Sequence, residues 1–168
     1  MGQTLRAVLP AIIAAALLAG RTAPAQAAGS GPTLPSTFNS TIGNALLCLD
    51  AIDPAFFYDY MLRNFGPPYQ HQGSAWWFRT PKAKLWNVPV TAIMVSDNNA
   101  SLFFIAAQTG VSTVQLAQAI RNSAGPVFQP GGGGPTPLLV SPAGSIIAWQ
   151  QDQSKIYCAK DRRLFNVR

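Results

Sequence analysis

Asp53-Pro54-Ala55-Phe56-Phe57-Tyr58-Asp59-Tyr60-Met61-Leu62-Arg63-Asn64-Phe65-Gly66-Pro67-Pro68 carries the start, face and stop signals of one helix. Asp53 suits an N-cap, and Pro54 suits the first helical position, where its missing N–H costs nothing. Phe57, Met61 and Phe65 recur every four residues, and Phe56 and Tyr60 widen that apolar stripe. Gly66 is placed to adopt the left-handed conformation after the last turn, and Pro67-Pro68 blocks continuation. The spacing predicts a helix over 54–65 with one buried face.

After this helix the period falls from four to two. Ser74 to Thr80 contains Trp76, Trp77 and Phe78, side chains that favour a pleated strand. Val88 to Ser96 is apolar on both faces, the pattern of a central, doubly covered strand, with Pro89 placing the start of pairing after it. Asp97-Asn98-Asn99 is turn chemistry, and Leu102 to Gln108 is a further apolar strand. The expected unit is an antiparallel meander packed on a Phe-rich helix, so the class is α+β.

Elements on either side extend that unit. Ser40 or Thr41 is placed to cap a short helix through Leu49, with Leu46, Leu47 and Cys48 on its buried side. Ser112 and Gln115 form a capping box, followed by a stripe of Val114, Leu116, Ala117 and Ile120 and a Gly125-Pro126 exit. Leu138 to Ser141, Ser145 to Gln151 and Lys155 to Ala159 read as strands, the last two as a hairpin around Asp152-Gln153-Ser154. Pro130 to Pro135 reads as a mobile connector. It has no Lys-Ser/Thr after its glycines and is no phosphate loop. The helix exits Leu62-Arg63-Asn64…Gly66-Pro67-Pro68-Tyr69-Gln70 and Ile120-Arg121-Asn122…Gly125-Pro126-Val127-Phe128-Gln129 match with one residue inserted. Two readings stand: an internal duplication, giving two helix-plus-meander units sharing a sheet (36–109 and 110–160), or chance likeness of two helix C-caps.

The residues from Pro54 to Phe78, from Ile93 to Ala106 and, more loosely, from Ser112 to Cys158 resemble the modules of beta-lactamase-inhibitory proteins and outer-membrane-assembly small lipoproteins. The resemblance implies an α+β binding scaffold without catalytic machinery. The chain departs from it in lacking a lipid-accepting Cys and in placing its Cys pair across the two units.

Residues 1–27 read as a secretory signal. Arg6 gives a positive start, Ala7 to Gly20 an apolar stretch too short to span a bilayer, and Ala25-Gln26-Ala27 a cleavage site. A membrane anchor is the competing reading, and the short run and Pro10 oppose it. Leu18-Ala19-Gly20 leads into Arg21, where a bacterial lipoprotein would have Cys. The expectation is an exported bacterial protein, periplasmic or secreted, with no stable membrane anchor after processing. A Gly/Pro/Ser leader (28–35), a single domain (36–160) and a basic tail (161–168) follow.

Without Arg6 and Arg21, ten Lys and Arg face six Asp, a charge of +4. No basic run suggests a nucleic-acid groove. There is no Glu and a single His, His71. The two Cys, Cys48 and Cys158, have no C-x-x-C spacing and no adjacent His, so a disulfide is expected in an oxidising compartment. As a catalytic base His71 needs a nucleophile and an orienting group, for which Ser74 and Asp59 are the nearest in sequence. A solvated loop residue is the simpler reading. Asp50 and Asp53 read as a helix end and a cap rather than a glycosidic carboxylate pair. No metal-ligand set or cofactor motif is present in the sequence.

Trp76 and Trp77 are adjacent on one strand and must point to opposite faces. Either one ring is left outside the core, or a second layer covers both. Tyr69, Trp77, Arg79 and Trp86 are therefore the expected contact residues of a binding face. The leading expectation is a non-enzymatic module that binds another envelope or secreted protein, as inhibitors, immunity proteins and assembly factors do. A cell-wall glycan module using Trp faces comes second, and a small hydrolase built on His71 third.

Overall fold

The computed structural model describes residues 34–132, 138–150 and 153–165. The signal segment, most of the leader, Asp152 and Arg168 lie outside them, as does the end of the glycine-rich stretch.

The helix over 54–65 is present as α2 (Pro54–Phe65). Asp53 accepts hydrogen bonds from the amides of Ala55 and Phe56. Phe57, Tyr60 and Met61 are buried, and Phe56 lies outside the core. Gly66 takes φ +86° but ψ −170°, so its positive φ is as expected while its conformation is extended rather than left-handed helical. The first helix, α1 (Phe38–Leu46), starts earlier than Ser40 and ends before Cys48. Its N-cap is Thr37, and Ser40 Oγ donates to the Thr37 carbonyl instead of capping an amide. The third, α3 (Thr113–Ala124), has the Ser112–Gln115 capping box in both directions. Leu116 and Ile120 are buried, but Val114 is 71 % exposed. It stands one residue past the helix start, on the solvent side of the stripe.

The strands are β1 (Gln70–Gln72), β2 (Ala75–Arg79), β3 (Lys84–Leu85), β4 (Val88–Ser96), β5 (Leu102–Thr109), β6 (Gln129–Gly131), β7 (Leu138–Val140), β8 (Ile146–Gln150) and β9 (Gln153–Asp161). All pairings are antiparallel, in the order β1-β2-β4-β5-β9-β8-β7-β6, with β3 paired to β4 off this path. Two meanders therefore meet at their last strands, β5 and β9.

Three strands were not expected from the sequence. β1 follows the Pro67-Pro68 stop directly and closes on β2 through Gly73 and Ser74, both at positive φ. β3 pairs with Val88 and Pro89, so Pro89 is inside a ladder, on a side where its missing N–H is not required. β6 contains Pro130 and Gly131, which pair with Leu139 and Leu138 rather than forming a loose connector. At Gly131 any Cβ would run into Val140. In the β8–β9 hairpin Gln153 and Ser154 belong to the strand, not to the turn.

The helices lie on one face of the sheet. Trp76, Phe78, Ile93, Val95, Ile105, Ile147, Ile156 and Cys158 point toward them and share one core with Phe38, Leu46, Phe57, Met61, Leu116 and Ile120. A bulge between Val90 and Ala92 shifts the alternation of β4. Val88 and Val90 point inward before it, Ile93 and Val95 after it, so the strand looks apolar throughout. Among the described residues no second layer lies over the other face of β4, where neighbouring side chains of the sheet pack on one another.

Cys48 and Cys158 form the expected disulfide, with a Cα–Cα distance of 5.4 Å. It fastens the segment after α1 to the central strand β9. Ser145 Oγ donates to the Leu46 carbonyl at 2.7 Å close by. Among the described residues no buried side-chain N or O lacks a partner.

Candidate functional site

The face opposite the helices holds a small second cluster. Ala75, Met94 and Ala106 form its floor, and Trp77, Phe104 and Tyr157 pack around them, half-buried. Register explains the assembly: Trp77 sits opposite Met94, Met94 opposite Ala106, and Ala106 opposite Tyr157. Small residues in the middle and large ones around them make a shallow groove of about 580 Å³, which Leu102, Lys155 and Ala159 also line. Lys155 reaches across the floor and holds Nζ 5.7 Å from the Trp77 ring centroid. Burial pushes its ammonium down from the ordinary lysine value. Ile146, opposite Tyr157, and Val140, opposite Ile146, continue the apolar surface into the second meander.

Of the expected contact residues, three belong to this face or its rim. Trp77 is half-buried, and its Nε1–H donates to the Gln72 carbonyl, which fixes the ring. Tyr69 is exposed and lies under Arg79, whose guanidinium carbon is 4.4 Å from the ring centroid. Trp86 is excluded. It is 5 % exposed and belongs to the helix-side core, beside Gly43 of α1. It follows β3 in a two-residue turn with Asn87, at φ +52° and +66°, and that turn folds its ring inward.

Met94, Leu102, Phe104, Lys155 and Tyr157 are face residues that the sequence reading did not single out. A usable signal was present: a disulfide partner at 158 faces the core, so Tyr157 beside it faces away.

His71 occupies a different place, on edge strand β1. Its ring stacks on Trp76 at 3.7 Å between centroids, and Nε2–H donates to Asp97 Oδ2 at 2.6 Å. The partner is neither Ser74 nor Asp59. Ser74 lies in the β1–β2 turn, and Asp59 is exposed on α2. Asp97 is 6 % exposed and also accepts from the amides of Asn99 and Ala100. Ser96 Oγ, the neighbour of Asp97 in sequence, accepts from the Phe104 amide. The pair therefore ties the edge strand to the β4–β5 turn, and among the described residues no hydroxyl or thiol hydrogen-bonds to it.

The His71 hydrogen bond, then the two amides, hold the Asp97 carboxyl below its ordinary value of 3.8 against the opposing effect of burial. A carboxyl lowered on folding stabilises the native state above its unfolded value, and that contribution is lost as pH falls through the folded one. Asp97→Asn should therefore cost stability at neutral pH and flatten the decline below pH 3.8. Thermal midpoints across that range test this. An unchanged acid limb in the variant would show that Asp97 does not set it.

Arg162, expected in a solvated tail, lies in a 3-10 turn (Arg162–Phe165), with its guanidinium carbon 5.4 Å from the Phe103 ring centroid. Its side chain donates to the Asn98 carbonyl. Among the described residues no group of three metal-ligating side chains comes together, and no helix is long and apolar enough to cross a membrane. Comparison with protein-family models, curated proteins and solved structures returns no match for this chain.

Proposed function

We propose that the protein is an exported, non-enzymatic binding module that applies its open sheet face to another envelope or secreted protein. One observation carries the reading: Trp77, Phe104 and Tyr157 form a half-buried aromatic cluster on the side of the sheet opposite α1, α2 and α3. Rigid aromatic rings around a small-residue floor supply contact area at low entropic cost, as binding hot spots do. Fixation of Trp77 by Gln72 adds preorganisation. The disulfide is compatible with an exported protein. The same features agree with the resemblance to inhibitory and assembly modules noted above.

The test is affinity capture from native envelope and culture fluid, using the disulfide-intact protein and Trp77→Ala. The expected result is one stoichiometric protein, retained by wild type and lost by the variant, with a variant melting temperature within a few degrees of wild type. Capture that survives Trp77→Ala would remove this face from the interaction. Recovery of cell-wall glycan instead would favour sugar stacking on tryptophan, and no specific recovery from either source would defeat the reading.

A further inference from the structure

Among the described residues the carboxylates without a cationic partner lie on the helix side of the sheet. Asp50, Asp53 and Asp59 belong to the chain just before and within α2, on the helix side. Asp97 is held by His71, and Asp161 by the Arg163 guanidinium at 2.9 Å. The open face carries one described carboxylate, Asp161, in step with Tyr157 and Ala159 and neutralised by Arg163; the remaining described charge there is positive. Lys155 lies over Trp77, and Arg79 over Tyr69 at the rim. Arg79, Lys82 and Lys84 line a second groove of about 520 Å³ whose walls include no carboxylate. Among the described residues no carboxylate comes within ion-pair distance of Lys155.

A half-buried ammonium with no carboxylate beside it among the described residues is costly, and it remains where another interaction offsets the cost. The Trp77 ring supplies part of this as a cation–π partner. The rest of the surroundings define what would complete it. The groove walls offer no guanidinium fork and no free helix N-terminus, the devices that suit phosphate. Strand amides beneath the groove are engaged in the ladder. Its lining is mostly aliphatic and aromatic, with few groups to satisfy the hydroxyls of a sugar. A single carboxylate on an apolar stem fits both the point charge and the walls.

We infer that the open face recognises an acidic protein surface, and that the groove between Trp77 and Tyr157 receives one partner carboxylate, which pairs with Lys155. The second, cationic groove of Arg79, Lys82 and Lys84 meets further acidic groups of the same partner surface. It accelerates encounter and makes association salt-dependent. This inference rests on the protein-binding reading and adds the chemistry of the partner.

The experiment uses the disulfide-intact protein, labelled with 15N, and three small probes: phenylacetate, phenylacetamide and glucuronate. Phenylacetate should shift the Trp77 indole N–H resonance saturably. Loss of the charge in phenylacetamide should weaken binding by roughly tenfold, the effect of one favourable ion pair. Lys155→Met should abolish that preference while preserving the melting temperature and the aromatic cluster. Equal response to acid and amide would overturn the inference, as would no response to either. A response to glucuronate equal to that for phenylacetate would overturn it in favour of an anionic glycan. A partner protein captured through Trp77 and bound equally well by Lys155→Met would leave the protein-binding reading standing and remove the acidic one.

Discussion

Replacing Cys48 and Cys158 together with alanine should lower the unfolding free energy by about 4–5 kcal/mol, the chain-entropy value for a closed loop of roughly a hundred residues. The two cysteines are 110 residues apart, so the bond removes much of the freedom of the unfolded chain. Domains of this kind are stable by only about 5–15 kcal/mol, so the change is a large fraction of the total. Urea titration measures it. The midpoint should fall and the slope should rise, because the uncrosslinked unfolded chain exposes more surface. A midpoint shift with an unchanged slope would locate the effect in the native state, in the link between the segment after α1 and β9. A loss below about 1 kcal/mol would contradict the entropy account altogether.

Trp86→Ala should cost about 3–5 kcal/mol, the range for deleting a large buried aromatic side chain. Its indole fills the space between the β3–β4 turn and α1, where a Cβ added at Gly43 would stand 3.6 Å from Cζ2. Alanine retains the positive-φ strain of the turn, so the substitution brings no compensating relief. Trp77→Ala is the control: the same residue type, on the same sheet, removed from the open face. The expected contrast is a large loss of stability with intact recognition for folded Trp86→Ala, and the reverse for Trp77→Ala. Equal stability losses would show that Trp77 is also structural and would withdraw it from the binding face.

These two tryptophans also mark how far the sequence could be read. α2 was legible to the residue because Asp53, Pro54, Gly66 and the four-residue stripe are local signals that agree with one another. The capping box of α3 and the three long strands before it were legible for the same reason. Of the short pairings, β7 was legible and β1, β3 and β6 were not. β1 and β6 each have three residues, and their partners, not their composition, make them strands. The inward turn at Trp86 depends on positive φ at two residues that are neither glycine, which no propensity signals. The open face was legible in part. Adjacent Trp76 and Trp77 left two readings, one outward ring or a second covering layer, and Phe104, Tyr157 and Lys155 come from strands remote in sequence that join Trp77 only through register. His71 shows the same limit. Its acidic partner is 26 residues away, nearer in space than Asp59 because β1 pairs back along β2.

The meeting of β5 with β9 has a consequence for how the chain acquires its structure. The first meander can form from residues up to Thr109, but its last strand then presents an unsatisfied edge of eight residues to any neighbouring chain. Such an edge is a template for aggregation until it is paired. Its own partner, β9, begins 44 residues after β5 ends (Thr109 to Gln153), and the cysteine that completes the covalent link lies on that strand. Closure is therefore a late, long-range event, slow by the entropy of the intervening loop. A chain truncated before β9 would lack the central ladder and the crosslink together, so quality control acting on either signal would reject the same incomplete molecules.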